Sequence, residues 1–264
     1  MCTIVMMVSA HPSWPLVVAA NRDEFYARAA APPDVLDAGP PRVVGGRDRS
    51  RSGTWMGATA AGFFAGVTNQ RTGRPADASL RSRGEVVLEV LRRGDPDAAE
   101  SWLRGLDGAA FNAFNLAFGR AGDVRVAYVR PEAPQVEVER LGPGVHTLAN
   151  DRLGSPHFPK AARATARAAR VTTPTWEPTA AALTALLADH DAPPDEALPP
   201  SPPGSLMPGI LLRRLQALCV HTPLYGTVSS TMMALGEGNV ARYAYADGPP
   251  CTAPFRDVTA HFTR

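Results

Sequence analysis

The chain has 264 residues, 45% of them hydrophobic and 20% charged, with a formal net charge of +2. That composition describes a globular chain with material for a sizeable core, and excludes the disordered and fibrous classes. The near-balanced charge also excludes the dense basic footprint of a nucleic-acid or anionic-lipid binder. Lys160 is the only lysine, and the arginines are scattered among acids with no run beyond pairs such as Arg92-Arg93. Three cysteines, Cys2, Cys219 and Cys251, lack paired spacing, so neither a disulfide scaffold nor a zinc motif is read. The apolar stretch Ile4–Val8 has no basic region before it and falls far short of the about 20 residues of a membrane span. A cytoplasmic protein without a membrane span is expected.

In chain order, Thr3–Val8 and Leu16–Ala20 are β-branched-rich runs around His11-Pro12-Ser13-Trp14-Pro15, which predicts a hairpin. Its second strand ends at Asn21-Arg22-Asp23-Glu24, so hairpin geometry brings that cluster beside Cys2. Residues 29–53 are rich in Pro, Gly and Arg and read as a loop. A second hairpin follows, 54–59 and 63–68, turning at Ala60-Ala61-Gly62 and ending at Asn69. Ser82 and Glu85 have capping-box spacing ahead of a helix over 83–93 that stops at Gly94. Asp95-Pro96 opens another helix to about Leu106. Strands are expected at 113–119, 124–130, 135–140 and 146–149, the last ending at Asn150-Asp151.

Alanine-rich helices follow at 158–170 and 178–189. The stretch 192–205 holds six prolines and reads as a long surface loop, either a linker or a lid. A helix at 208–218 and strands at 223–235, 239–246 and near 255–262 finish the chain. With no internal repeat and no composition break, residues 1–264 read as one domain of hairpin-built sheets with helices packed outside them.

Position 2 carries the chemistry. Removing Met1 ahead of a residue as small as cysteine would leave Cys2 with a thiol and a free α-amine. The amine titrates near pH 8 and the thiol near 8.5, so one residue would hold both nucleophile and base. Met1-Cys2-Thr3, Asn21-Arg22-Asp23-Glu24, Gly53-Thr54-Trp55-Met56-Gly57, Gly66-Val67-Thr68-Asn69, Leu148-Ala149-Asn150-Asp151-Arg152-Leu153 and Gly226-Thr227-Val228-Ser229-Ser230-Thr231 occur in that order. Together they resemble the NRDE family, also called Transport and Golgi organisation 2, along nearly the whole chain. That family resembles the N-terminal-nucleophile hydrolases of the penicillin V acylase and bile-salt hydrolase branch.

The resemblance implies an α+β fold, a four-layer αββα sandwich of two antiparallel sheets. It also implies roles. Cys2 matches the nucleophile, Asp23 the acid that orients the α-amine, and Asn69 and Asn150 the donors to the oxyanion. The acylases carry an arginine three residues before the aspartate. Here Ala20 stands at that place and Arg22 directly precedes Asp23, so either Arg22 curls in from a turn and lowers the thiol pKa or the guanidinium role is absent. Asn21, Glu24 and Trp55 are candidate substrate contacts, while Phe63 and Phe64 are expected in the core.

The six histidines show no metal-ligand spacing, no G-x-S-x-G elbow exists, and no glycine cluster has the strand-to-helix setting of a phosphate loop. No metal and no resident cofactor are expected. Cys219 reads as a core residue on an apolar helix, and Cys251, after Pro249-Pro250, as exposed. Two functions follow from the resemblance. One is an amidohydrolase that cleaves a small linear amide through a thioester acyl-enzyme. The other is a binding or trafficking protein, with haem, a lipid or an acyl-CoA as ligand. Haem binding normally wants a placed His, Cys or Tyr, and no Cys-Pro dipeptide or histidine pair marks one here. The expected partner is a small molecule, and nothing in the sequence selects an oligomeric state.

Overall fold

The structure, a computed structural model, describes all residues except Met1, Gly73, Arg74, Pro134, Asp195, Ala197, 199–208 and Arg264. Among the described residues, strand β1 (Thr3–Val8) pairs antiparallel with β2 (Leu16–Phe25), Thr3 lying opposite Asn21. The other neighbour of β1 is β10 (Gly144–Leu148), with Ile4 opposite Leu148. Strands β11 (Tyr225–Gly236), β12 (Asn239–Ala246) and the short β13 (Arg256–Asp257) complete a six-stranded antiparallel sheet in the order β10-β1-β2-β11-β12-β13. A second sheet has seven strands in sequence order. They are β3 (Ala30–Asp37), β4 (Val43–Asp48), β5 (Met56–Thr59), β6 (Phe64–Asn69), β7 (Phe114–Arg120), β8 (Asp123–Val129) and β9 (Glu137–Leu141).

Period-2 alternation sorts the side chains into layers. Ile4, Met6, Val8, Leu16, Val18 and Ala20 point to the second sheet, meeting Val44, Met56, Phe64 and Tyr128 in a core between the sheets. Their neighbours Val5, Met7, Val17 and Ala19 point outward to α3 (Pro159–Ala168) and α4 (Trp176–Leu187), against Ala164, Leu183 and Leu187. The second sheet is covered in the same way by α1 (Arg83–Arg93) and α2 (Pro96–Arg104), through Val86, Val90, Leu91 and Leu103. A short helix, α5 (Gly209–Arg214), precedes β11. Every strand of the central hairpin is thus buried on both faces, which is why its sequence reads as apolar runs. Each fully buried aliphatic side chain there contributes about 1.5–3 kcal/mol. The result is the αββα sandwich.

Four local expectations are corrected. The stretch 29–53 contains β3 and β4 rather than a loop. Pro32 and Pro33 fit there because β3 is an edge strand with a ladder on one side only. Strand β2 runs on through Asn21-Arg22-Asp23-Glu24 to Phe25, since β11 supplies ladder partners along it, Tyr225 lying opposite Phe25. The capping box at Ser82 does not form. Its side chain caps nothing, although Gly94 ends α1 in the left-handed conformation at φ 61°. The helix expected over 208–218 is shortened to α5. Most of the proline-rich 192–205 stretch lies outside the described residues.

Candidate active-site cleft

The polar end of the β1–β2 hairpin borders a cavity of about 370 Å³. Cys2 precedes β1 by one residue, on the parity of Ile4 and Met6, and so faces the space between the sheets and lines the cleft. It is half-buried, and burial pushes its thiol above the ordinary value. The Asp23 carboxylate pushes the same way. The Asp23 backbone N–H and the Arg22 guanidinium act in the opposite direction.

Because β2 continues as a strand, Arg22 and Asp23 point to opposite faces. Arg22 shares its face with Ala20 and enters the cleft, its guanidinium 4.4 Å from the centre of the Trp55 ring. Arg22 thus reaches the cleft from the strand itself, on the face it shares with Ala20 two residues earlier. No turn is needed to deliver it. Trp55 lies flat only because position 46 is glycine: a Cβ there would sit 2.4 Å or less from two atoms of the indole.

Asp23 points to the helix side and is fully enclosed. Its Oδ1 accepts from the Thr227 hydroxyl at 2.7 Å, and its Oδ2 lies 3.9 Å from the Lys160 ammonium on α3. Tyr225 donates to the Asp23 backbone carbonyl at 2.8 Å. Burial raises the Asp23 pKa and lowers that of Lys160, and each charge offsets part of the other's shift. Lys160 is wholly buried, and its ammonium makes no hydrogen bond among the described residues. The one lysine of the chain thus stands behind Asp23. Nothing in the sequence places Lys160 at the site, because its burial follows from packing of α3 on the sheet.

The two asparagines come from different sheets and meet. Asn69 ends β6 and lines the cleft. Asn150 lies two residues past β10, and its Nδ2 donates to the Asn69 carbonyl at 2.7 Å. Continuing the β1–β10 register by two places sets Asn150 opposite Cys2. The buried amide of Asn115, on β7, joins the same corner, donating to Thr68 Oγ1 at 3.1 Å and to the Asp151 carbonyl at 3.0 Å. Asn115 is a positioning residue that no motif announced. In sequence it is one more residue of an apolar strand.

The remaining expected contacts divide. Glu24 lines the cleft and lies 3.6 Å from Arg28, which also pairs with Asp48. Arg51 and Arg83 add two more guanidiniums to the wall, and burial lowers the Arg83 pKa. Asn21 is the exception, because its side chain is committed to the helix side. Its Nδ2 donates to the Leu187 and Leu218 carbonyls at 2.8 and 2.9 Å, and its Oδ1 accepts from Ser230 at 2.6 Å. All the bonds an amide can readily use there are spent on holding strand to helix layer, so Asn21 is a structural anchor and not a substrate contact.

The fold also gathers four ligand-type side chains that are scattered in the sequence. His190, Cys219, His221 and Cys251 come together with one ligand atom from each, all within 4.8 Å of one another. Cys219 is buried as expected, but it sits in the segment after α5 rather than on a helix.

No described helix is long and apolar enough to cross a membrane. The family model for Transport and Golgi organisation 2 matches residues 1–244. The "Transport and Golgi organization protein 2 homolog" of Bos taurus is 31% identical over 258 residues, covering 91% of each chain. Its Homo sapiens counterpart is 30% identical with the same coverage. Among solved structures, a C2A mutant of conjugated bile acid hydrolase from Clostridium perfringens superposes with a TM-score of 0.53 at 12% identity, covering 98% of this chain and 92% of that one. An N-acylethanolamine-hydrolyzing acid amidase ortholog from Caenorhabditis elegans gives 0.50 at 14% identity, covering 89% and 92%. These likenesses show that the αββα fold of this chain is the one those two hydrolases have. On the family match and the relatives together, the chain belongs to the Transport and Golgi organisation 2 family.

Proposed function

We propose that this protein is an N-terminal-cysteine amidohydrolase acting on a small linear amide. The observation that carries the reading is the placement of Cys2. Its thiol faces the cleft with Arg22 and Asn69, while Asp23, held by Thr227 and Lys160, lies beside it on the helix side. Once Met1 is removed, the α-amine takes the thiol proton, and Asp23 holds the resulting ammonium in place. The thiolate adds to the amide carbon, forming a C–S bond and an oxyanion that Asn69 stabilises by donation. Collapse breaks the C–N bond, and the ammonium returns its proton to the leaving amine. Water then adds to the thioester while the α-amine takes its proton. The C–S bond breaks, the acid leaves, and that proton restores the thiol. In this scheme Asn150 braces Asn69 through its carbonyl and sets the end of β6 against the start of β1.

The names of two matched structures, a bile acid hydrolase and an acid amidase, support the choice of reaction class. The cleft wall carries guanidiniums from Arg22, Arg28, Arg51 and Arg83 and carboxylates from Glu24, Asp48 and Asp77, so its charge is mixed and selects no substrate charge. Incubation with a thiol-directed electrophile, followed by peptide mapping, tests the proposal. Labelling of Cys2 ahead of Cys219 and Cys251 supports it, and no preference for Cys2 overturns it.

A binding or trafficking role is the second reading, favoured by the names of the relatives and by the arginine-lined wall. For haem, Cys2 is the one lining residue of an axial-ligand type among those described, and the arginines suit the propionates. Apolar wall is limited to Trp55, Val67, Ala76 and Ala78, which is little for a porphyrin face. Haem titration followed in the Soret region separates the readings. A shifted band lost in Cys2→Ala, without amide turnover, favours binding.

A further inference from the structure

On the helix side of the first sheet, away from the cleft, four side chains of ligand type converge from three separate parts of the chain. His190 follows α4, Cys219 and His221 lie between α5 and β11, and Cys251 is in the turn after β12. The sulfurs of Cys219 and Cys251 are 3.7 Å apart, and His221 Nε2 lies 3.6 Å from the first and 3.3 Å from the second. A tetrahedral zinc with Zn–S of about 2.3 Å and Zn–N of about 2.0–2.1 Å has S···S edges of roughly 3.8 Å and S···N edges of roughly 3.6 Å. The three measured edges already have that size. A disulfide needs its sulfurs at about 2.05 Å, and both thiols here are free.

The fourth corner is prepared as well. His190 lies with its ring centre 5.1 Å from that of His221. Its Nδ1 is 3.1 Å from the Cys219 carbonyl, which makes Nδ1 the protonated nitrogen and leaves Nε2 for an ion. An imidazole fixed by a backbone carbonyl through its second nitrogen is the usual outer-shell arrangement of a metal-binding histidine. The thiols are the groups that must give up protons. Without an ion, burial and the nearby Cys251 push the Cys219 thiol up to about 12, and a thiolate-binding dication reverses that order.

We propose that His190, Cys219, His221 and Cys251 bind one zinc ion in a structural S2N2 site. Two sulfurs and two imidazoles in a tetrahedral set select zinc over magnesium or calcium, which require oxygen ligands. All four corners are protein groups, so no position is open for chemistry. The ion ties together segments that otherwise depend on backbone contacts, such as the Leu218 and Cys219 N–H groups on the Asp189 carbonyl. The tie reaches the cleft through one residue. Val220 N–H donates to Thr227 Oγ1 at 2.9 Å, and that hydroxyl donates to Asp23.

The test is the metal content of the purified, tag-free chain after exhaustive dialysis. The expected result is about one zinc per chain, at least tenfold less in Cys251→Ser, and full retention in Cys2→Ser. Cys251 is exposed, so its replacement leaves the core intact. The chelator-stripped wild-type protein gives a second readout that needs no variant. One equivalent of Co2+ should produce intense tetrahedral d–d bands with thiolate charge transfer, and Zn2+ should abolish them. Zinc retained undiminished by Cys251→Ser overturns the proposal. So does a wild-type chain that holds no zinc and gives no cobalt bands, or one in which Cys219 and Cys251 are joined as a disulfide under reducing purification.

Discussion

Two sulfur centres flank the polar end of the first sheet, and they are built in opposite ways. Cys2 sits at the mouth of a rigid hairpin, with Arg22 and Asp23 delivered by consecutive strand positions and so by strand alternation alone. Cys219 and Cys251 belong to turns: Cys219 meets His190 across 29 residues and Cys251 across 32, and Cys251 meets His221 across 30. In the first centre, the thiol is set apart from the other cysteines and placed beside the position of a future amine. In the second, the thiols have each other and two imidazoles. A nucleophile needs isolation and a base, whereas a metal ligand needs company. The same element therefore serves two purposes, according to what the backbone brings to it.

The comparison breaks most sharply under substitution of the sulfurs. Cys2→Ala should remove amide turnover, by about 10⁶-fold in kcat, with an unchanged thermal midpoint. Cys251→Ser leaves the nucleophile in place, so it should show in a lowered thermal midpoint as the zinc is lost and cost far less in kcat than Cys2→Ala. Steady-state kinetics of the two variants on one amide substrate decides the matter, and equal losses would erase the distinction.

Asn69→Ala removes an oxyanion donor and should cost about 10²–10³ in kcat. Asn150→Ala leaves that donor but withdraws its brace. It should lose less in kcat while costing about 1–3 kcal/mol of stability, from the Asn69 carbonyl left buried without its partner. Comparing kcat with denaturant midpoints in the pair shows which asparagine touches the reacting atoms.

Lys160→Met probes the buried pair. Burial raises the Asp23 pKa, and Lys160 is the largest of the influences that lower it. Without Lys160, Asp23 keeps its proton to higher pH and releases its grip on the amine. The acid limb of kcat/KM should therefore move to higher pH, with activity at neutral pH down roughly tenfold. A pH–rate profile superposable on the wild type would show that Lys160 only fills space.

The smallest effect concerns the cleft wall. Gly46→Ala drives a methyl into the Trp55 indole and should cost about 1–3 kcal/mol. By displacing the surface on which Arg22 rests, it should also slow Cys2 labelling. Labelling rates in this variant, set beside its melting temperature, separate a local shift from general loosening.

Much of this architecture is legible in the sequence because it rests on local rules. Helix α1 stops at Gly94 as its C-cap residue says, and the β1, β6, β7 and β8 runs are apolar enough to be read as buried strands. The extension of β2 through Asn21–Phe25 is not legible. Four polar residues imitate a turn, and only pairing with β11, two hundred residues away, keeps them extended. Likewise Pro32 and Pro33 signal a loop until β3 is known to be an edge. Cys2, Arg22, Asp23 and Asn69 could be named from short motifs. Lys160 and Asn115 could not, since their parts in the cleft depend on packing between helix and sheet and between the two sheets. The His/Cys cluster is the extreme case, where no pairwise spacing hints at a tetrahedron.

The account rests on a thiol and an amine in one residue, and mass spectrometry reads both at once. Intact mass and peptide mapping of the wild-type chain, after brief treatment with an amide-mimicking electrophile, should show Met1 absent and a single adduct on the N-terminal Cys2 peptide. A chain that retains Met1, or an adduct carried instead by Cys219 or Cys251, contradicts the account.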